Sequence, residues 1–340
     1  MAETNRVWLL AQRPDGRPDM DCFEFAERQR PVPGDGEVLV RTLYMSVDPY
    51  MRGRMRDAES YAEPWTVGEP MQAGVVGEIV ASNHHAWEEG DVVNGNLRWA
   101  DYAIAKGHEL VGVNPDLAPV STALGVLGMP ARTAYFGLLD VGDPKPGDTV
   151  VVSGAAGAVG SVVGQIARHA GCRVVGVAGS EEKISWLTDE LGFDAAINYK
   201  DDDVRARVRE ACPDGVDVYF DNVGGPVTDA VMDNLSVRAR VVICGQISLY
   251  NAQERPTGPR HFGTLIQKRA RVEGILVRDY EDRYEEANER LARWVNDGTV
   301  QYRETVTDGL ERAPEAFLGL FDGENIGKQL VQVAEYGDEE

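Results

Sequence analysis

From about Leu124 onward the chain alternates short, almost unbroken apolar runs with stretches of helical periodicity. DTVVVSG leads into AVGSVVGQIARHAG, CRVVGVAG into EEKISWLTDELGF, and AAINY into DVRARVREACP. VDVYFDNVGG, PVTDAVMDNLS, ARVVICGQIS, VEGILV and YEEANERLARWVNDG continue the pattern. That rhythm is the signature of βαβ units, and it predicts an α/β, doubly wound parallel sheet. Runs such as VVV and VVIC have no polar alternation, as expected of strands buried on both faces. Before Leu124 the texture is β-rich: RVWLLAQ, EVLVRTLYMSV, AGVVGEIVA and DYAIAK are strand-like runs punctuated by Gly, Pro, Asp and Asn. After Gly298 the pattern is mixed. With 340 residues the chain suits two domains. The expected division is 1–123, 124–298 for the parallel sheet, and 299–340 returning to the first domain.

VVSGAAGAVGSVVGQIA, from Val151 to Ala167, runs a strand into a small-residue turn and then a helix. Ala155, Gly157 and Gly160 take the three small-residue positions of a dinucleotide turn, with Ala156, Ala158 and Val159 between them. Such a turn lets backbone approach a pyrophosphate at a helix N-terminus. The match departs from the usual glycine pattern at Ala155, and its weight comes from its place in a βαβ unit. The alternative is a packing turn that holds no nucleotide.

The second strand distinguishes the two dinucleotides. An NAD site usually carries a carboxylate at its tip to grip the ribose diol. Here CRVVGVAGS ends in Ala178-Gly179-Ser180, and Lys183 follows one helical step later. Ser180 and Lys183 suit a 2′-phosphate, so NADP(H) is the expected cofactor. Glu181 and Glu182 argue against it unless they belong to the first turn of a helix and face solvent.

The net charge is −22, and only six lysines occur, at 106, 145, 183, 200, 268 and 328. Such a field disfavours nucleic acid and anionic membranes as partners. An acidic, lysine-poor composition looks like that of a halophilic cytosolic protein. No apolar run reaches membrane-spanning length, and the N-terminus has no secretory pattern, so a cytoplasmic location is expected. The four cysteines are scattered and the five histidines form no ligand set, so no metal is expected.

LYMSVDPYMRGRM (Leu43 to Met55), GMPARTAYFGLL (Gly128 to Leu139), the turn above, GSEEKISWL, FDAAINYK, DVYFDNVGG, CGQISLYN and ENIGKQLVQV occur in this order. The chain resembles the zinc-independent medium-chain dehydrogenase/reductases, within them the prostaglandin reductase, leukotriene B4 12-hydroxydehydrogenase and curcumin reductase group. The resemblance spans nearly the whole length. It implies a GroES-like catalytic domain beside a Rossmann domain, a homodimer, and NADPH-dependent reduction of the C=C bond of an α,β-unsaturated ketone or aldehyde. Where zinc-binding relatives carry ligands, this chain has Ser46-Val47-Asp48 and Gly68-Glu69-Pro70.

Carried over by position, the resemblance puts Ala155 to Gly160 on the pyrophosphate. Lys183 and Tyr199 flank the 2′-phosphate and adenosine, and Asn222 ends the fourth strand beside the cofactor. Cys244, Gly245, Gln246, Ile247 and Tyr250 run under the nicotinamide ribose. Ile275, Leu276 and Val277 lie near the carboxamide, Met129 and Thr133 near the nicotinamide, and Asn325 reaches in from the tail. Tyr50 falls where some members have a cleft tyrosine able to bind the substrate carbonyl; it also reads as a packing aromatic at a bend. Some members have a second tyrosine where this chain has Gln267, which leaves substrate preference open. A quinone oxidoreductase of the same superfamily and a non-catalytic NADP(H)-binding protein are the competing readings.

Overall fold

The computed structural model describes residues 4–337. In chain order, β1 (Thr4–Leu10) and β2 (Phe23–Gln29) form an antiparallel pair. β3 (Glu37–Ser46), the single turn α1 (Met51–Arg54), β4 (Gln72–Ser82), β5 (Val92–Arg98), β6 (Tyr102–Lys106) and the short β7 (Val111–Gly112) follow. The alternating half begins with α2 (Met129–Phe136), β8 (Thr149–Ser153), α3 (Gly160–His169), β9 (Arg173–Ala178) and α4 (Glu181–Ser185). It continues with β10 (Ala195–Asn198), α5 (Val204–Ala211), β11 (Val216–Asp221), α6 (Gly225–Met232) and β12 (Leu235–Ile243). It closes with α7 (Phe262–Lys268), β13 (Arg271–Gly274) and α8 (Tyr284–Asn296). The last elements are β14 (Glu304–Asp308), α9 (Ala313–Gly319) and β15 (Lys328–Gln332).

The chain divides into two compact units. One comprises residues to Leu124, Glu304–Asn325 and the segment from Gln329; the other comprises Gly125–Arg303 and Ile326–Lys328. The first unit holds a sheet ordered β14-β15-β3-β4-β5-β7, with β6 also on β3. Its core gathers Trp8, Phe23, Trp65, Trp99 and Phe317, whose rings meet edge-on or stacked about 6 Å apart. β2 has no counterpart in the sequence reading because it lies at an edge and most of its residues are exposed.

The second unit is the expected doubly wound sheet, parallel throughout and ordered β10-β9-β8-β11-β12-β13. Its inner strands bury both faces, whereas the edge strand β13 is exposed. Val150 and Val152 of β8 enter one core cluster with Val174 and Phe220, and Val151 enters the other with Val175, Val177 and Tyr219. This is the physical content of the unbroken VVV run, since alternate side chains leave opposite faces and here both faces are covered. The order reverses beside β8, whose C-terminal end leads into the small-residue turn. In sheets of this kind, ligands sit outside the strand ends at that point.

Candidate functional site

The turn after β8 is held shut by its own backbone. The Ala155 N–H donates to the Val177 carbonyl at 3.0 Å and Gly157 N–H to Gly154 O at 3.0 Å. Gly154 has a positive φ of 57°, which favours glycine. At Gly160, the first residue of α3, an added Cβ would stand 2.4 Å from Gly154 O and 2.8 Å from the Ala155 Cα. The departure at Ala155 has its compensation one strand away. A Cβ on Gly176 of β9 would come within 3.0 Å of the Ala155 methyl, so the methyl uses space that Gly176 leaves. The turn therefore keeps the tight backbone that a pyrophosphate requires while carrying a side chain at its first position. From the far end of the chain, the Gly327 N–H donates to the Ala156 carbonyl at 2.8 Å, and Gly327 bridges to Gly157. Asn325 ends the first unit's segment just before this strap.

β11 ends at Asp221, so Asn222 lies one residue beyond the strand. Its side-chain amide donates to the Ser153 carbonyl at 2.8 Å and its backbone N–H to Ser153 Oγ at 2.9 Å. The residue beneath it organises this region. Asp221 is wholly buried. One of its carboxylate oxygens accepts from Ser153 Oγ, the Tyr219 hydroxyl and the N–H groups of Val223 and Gly224, all at 2.8–3.0 Å. The other accepts from Thr228 Oγ1 at 2.6 Å. The Asp221 carbonyl also accepts the N–H groups of Cys244 and Gly245 at 2.8 and 3.0 Å. One aspartate thus joins the end of β8, the loop after β11 and the loop after β12. Sequence reading missed it because an Asp before Asn-Val-Gly-Gly looks like part of a surface turn.

The 244–250 segment is a compact loop in which the Tyr250 hydroxyl accepts the Gln246 N–H at 3.2 Å. A short helical turn at Ile247–Leu249 lies between them. Ile275 N–H donates to the Ile243 carbonyl at 3.0 Å, which brings 275–277 beside that loop's root. Ile275 and Val277 are half-buried against the core, and Leu276 is half-buried too. On α2, Thr133 Oγ1 donates back to the Met129 carbonyl at 2.8 Å, while the Met129 side chain is exposed.

At the tip of β9, Ser180 caps α4, its Oγ accepting the Lys183 N–H at 3.4 Å. The Tyr199 ring covers Gly179, where a Cβ would be 2.7 Å from it. Lys183 is half-buried, and its pKa is lowered first by burial and then by the positive charge of Lys200. Lys200 has no place in the sequence reading, because only the β9–β10 pairing brings it to Lys183. Glu181 does not simply face solvent, as the sequence suggested; its carboxylate accepts from the Asn198 amide at 2.9 Å.

In the first unit, Tyr50 follows the bend after β3 and precedes α1, packed against the Trp-rich core. Burial pushes its phenol far above the usual tyrosine value, with the Asp48 carboxylate adding to the effect and Arg54 opposing it. It is therefore a proton-bearing donor at any working pH. Ser46 and Asp48 hydrogen-bond each other. Among the described residues no group of three or more His, Cys, Asp or Glu is placed to hold a metal ion. All four cysteines are free thiols, and burial pushes Cys172 and Cys212 up to about 11 and Cys244 up to about 12. Nor is any helix among them long and apolar enough to cross a membrane. Gln267 is exposed on α7.

Two family models match, one described as the N-terminal domain of an oxidoreductase over residues 6–113 and one as a zinc-binding dehydrogenase over 158–293. The chain is 53% identical over 338 residues to a putative NADP-dependent oxidoreductase, YfmJ, of Bacillus subtilis, covering 98% of this chain and 99% of that one. It is 47% identical to the NADPH-dependent curcumin reductase of Escherichia coli, over 98% of each. The chain belongs to the curcumin reductase and prostaglandin reductase group of the medium-chain dehydrogenase/reductases. The structure of CurA from Vibrio vulnificus in complex with NADPH superposes with a TM-score of 0.93 at 47% identity, covering 97% of this chain and 99% of that one. The fold of this reductase is accordingly a Rossmann domain with a GroES-like domain, and its cofactor is NADP(H). The second unit has what that cofactor needs: a turn closed to larger side chains, a strand tip without a carboxylate, and two lysines beside it.

Proposed function

We propose that this reductase saturates the C=C bond of α,β-unsaturated ketones and aldehydes. The observation that carries the reading is the dinucleotide turn joined to a strand tip that presents lysine in place of a carboxylate, within a chain 47% identical to a curcumin reductase. Ala155 to Gly160 would hold the pyrophosphate, and Ser180, Lys183 and Tyr199 the 2′-phosphate and adenosine. Asn222, Cys244 to Ile247, Tyr250 and Ile275 to Val277 would line the ribose and carboxamide, with Met129, Thr133 and Asn325 completing the set. NADPH, when bound, supplies a hydride to the substrate's β-carbon. Tyr50 donates a hydrogen bond to the substrate carbonyl oxygen as negative charge gathers there, and a donor already oriented for that charge lowers the barrier. Its raised pKa keeps the proton on the phenol, and solvent protonates the α-carbon. The reaction needs no metal in this reading.

The homodimer implied by the resemblance is supported by Phe262, Ile266 and Val272, exposed apolar residues on α7 and on β13 at the end of the six-stranded sheet. The acidic, lysine-poor composition supports a cytoplasmic protein of a salt-rich cell. The test is NADPH oxidation in molar KCl with 3-nonen-2-one and with a quinone. Rapid turnover of the enone is expected; turnover of the quinone alone would replace this reading, and NADPH binding without turnover would make the protein a non-catalytic binder. Tyr50→Phe should lower kcat/KM for the enone by more than about tenfold, the value of one charge-assisted hydrogen bond. Kinetics equal to wild type would leave Tyr50 a packing aromatic.

A further inference from the structure

Two of the chain's six lysines meet at the tip of β9. The pairing Ala178↔Asn198 sets the ends of β9 and β10 level, and the Tyr199 N–H donates to the Ala178 carbonyl at 3.0 Å. Lys200 therefore emerges beside Gly179-Ser180, and its charge acts on Lys183. Two like charges held close favour an anion near both, and Glu182 already acts on Lys183 in that sense.

The same corner is rich in acid. Glu181, Glu182, Asp201 and Asp202 all lie within a few residues of the two lysines. Free carboxylates there would oppose a 2′-phosphate, and one of them could grip a ribose diol as in an NAD site. Asn198, only 5% exposed, holds three of them. Its side-chain amide donates to Glu181 at 2.9 Å and to Asp201 at 2.6 Å, and its backbone N–H donates to Asp202 at 3.0 Å. Its side-chain carbonyl accepts the Lys200 N–H at 3.3 Å, fixing where that lysine leaves the backbone.

We propose that Asn198 is a positioning residue for cofactor choice: it ties down Glu181 and Asp201 so that Lys183 and Lys200 together face the 2′-phosphate of NADPH. The proposal rests on the adenosine end of the cofactor lying at Ser180 and Tyr199. It gives Lys200 a direct role in binding and Asn198 an indirect one.

The readout is the ratio of kcat/KM with NADPH to that with NADH, using one enone at one salt concentration. Asn198→Ala and Lys200→Met should each lower that ratio by about tenfold or more, the value of a charge-assisted contact. Adding Glu181→Gln and Asp201→Asn to the Asn198→Ala protein should restore most of it, because the released charges are then gone. An unchanged ratio in Lys200→Met overturns the direct role, and that exposed variant is read even if Asn198→Ala fails to fold. A ratio lost in Asn198→Ala and not restored by the two neutralisations overturns the tether. A wild-type enzyme that prefers NADH would overturn the reading of the corner itself, which separates that failure from the other two.

Discussion

Gly160→Ala should cost the enzyme its cofactor. The new methyl would stand 2.4 Å from the Gly154 oxygen, 2.8 Å from the Ala155 Cα and 3.0 Å from the Gly154 carbonyl carbon. All three are backbone atoms of the same tight turn, so no side chain can swing aside. Relief requires the turn to open, and an opened turn moves the N–H groups meant for the pyrophosphate. A displacement of about 1 Å in such a cradle forfeits most of its hydrogen bonding, so NADPH affinity should fall by about a hundredfold or more. Stability should fall by roughly 1–3 kcal/mol, the usual cost of overpacking. Gly263→Ala is the control. Its Cβ, on the exposed α7, would meet nothing within 4 Å, and it should bind NADPH as wild type does. Titrating NADPH fluorescence against both variants checks the pair. Equal, near-wild-type affinities would mean that this turn is not where the pyrophosphate sits.

The same geometry explains what was legible in the sequence. VVVSGAAGAVG announces a strand, a turn and a helix because each departure from an ordinary side chain has a steric reason within a few residues. The exception, Ala155, is explained by Gly176, 21 positions on and one strand over, which no local pattern can reveal. The inner parallel strands were legible because burial on both faces leaves them unbroken runs of apolar residues. β2 was not, because FEFAERQ sits on an edge where charge carries no penalty. The sequence reading gives the second domain as 124–298, whereas the compact unit of the structure is Gly125–Arg303 with the strap at Ile326–Lys328. That strap is set by backbone hydrogen bonds, among them Gly327 N–H to the Ala156 carbonyl and Lys328 N–H to the Arg303 carbonyl, and leaves no periodic trace.

Polar organisation was the least legible layer. Lys183 stands out because lysine is scarce, yet Lys200 and Asn198 act with it only through the β9–β10 register. Glu181 and Glu182 look equivalent in sequence, but only Glu181 is held by Asn198. A carboxylate's effect on a nearby phosphate depends on where it is tied, and that is a property of tertiary structure. In a protein of net charge −22 the point matters beyond this site. Anionic ligands can be bound against such a field only where fixed donors outweigh the nearest carboxylates, since screening in salt removes the distant ones first.

Asp221→Ala should destabilise the protein by about 3–5 kcal/mol, the largest stability loss expected of any polar position here. The wild-type carboxylate lies in a fully buried place. It is tolerated because five donors converge on it: three hydroxyls and two backbone N–H groups. Removing it leaves those donors facing an apolar methyl. The Ser153, Tyr219 and Thr228 hydroxyls can rotate toward other acceptors, and Tyr219 already lies 3.2 Å from Thr228. The Val223 and Gly224 N–H groups are fixed by the loop and have no such freedom, so they bear most of the cost, about 1–3 kcal/mol each. The loop they belong to begins with Asn222, so the KM for NADPH should rise as the loop loosens. Ser153→Ala removes one donor and leaves the carboxylate with four, and should cost about 1 kcal/mol. Urea unfolding of both variants in the same salt, with unchanged m-values, checks the ranking. A loss below about 1 kcal/mol in Asp221→Ala would mean that water or a rearranged loop satisfies the two amides, and that the carboxylate is not what ties the three strand ends together.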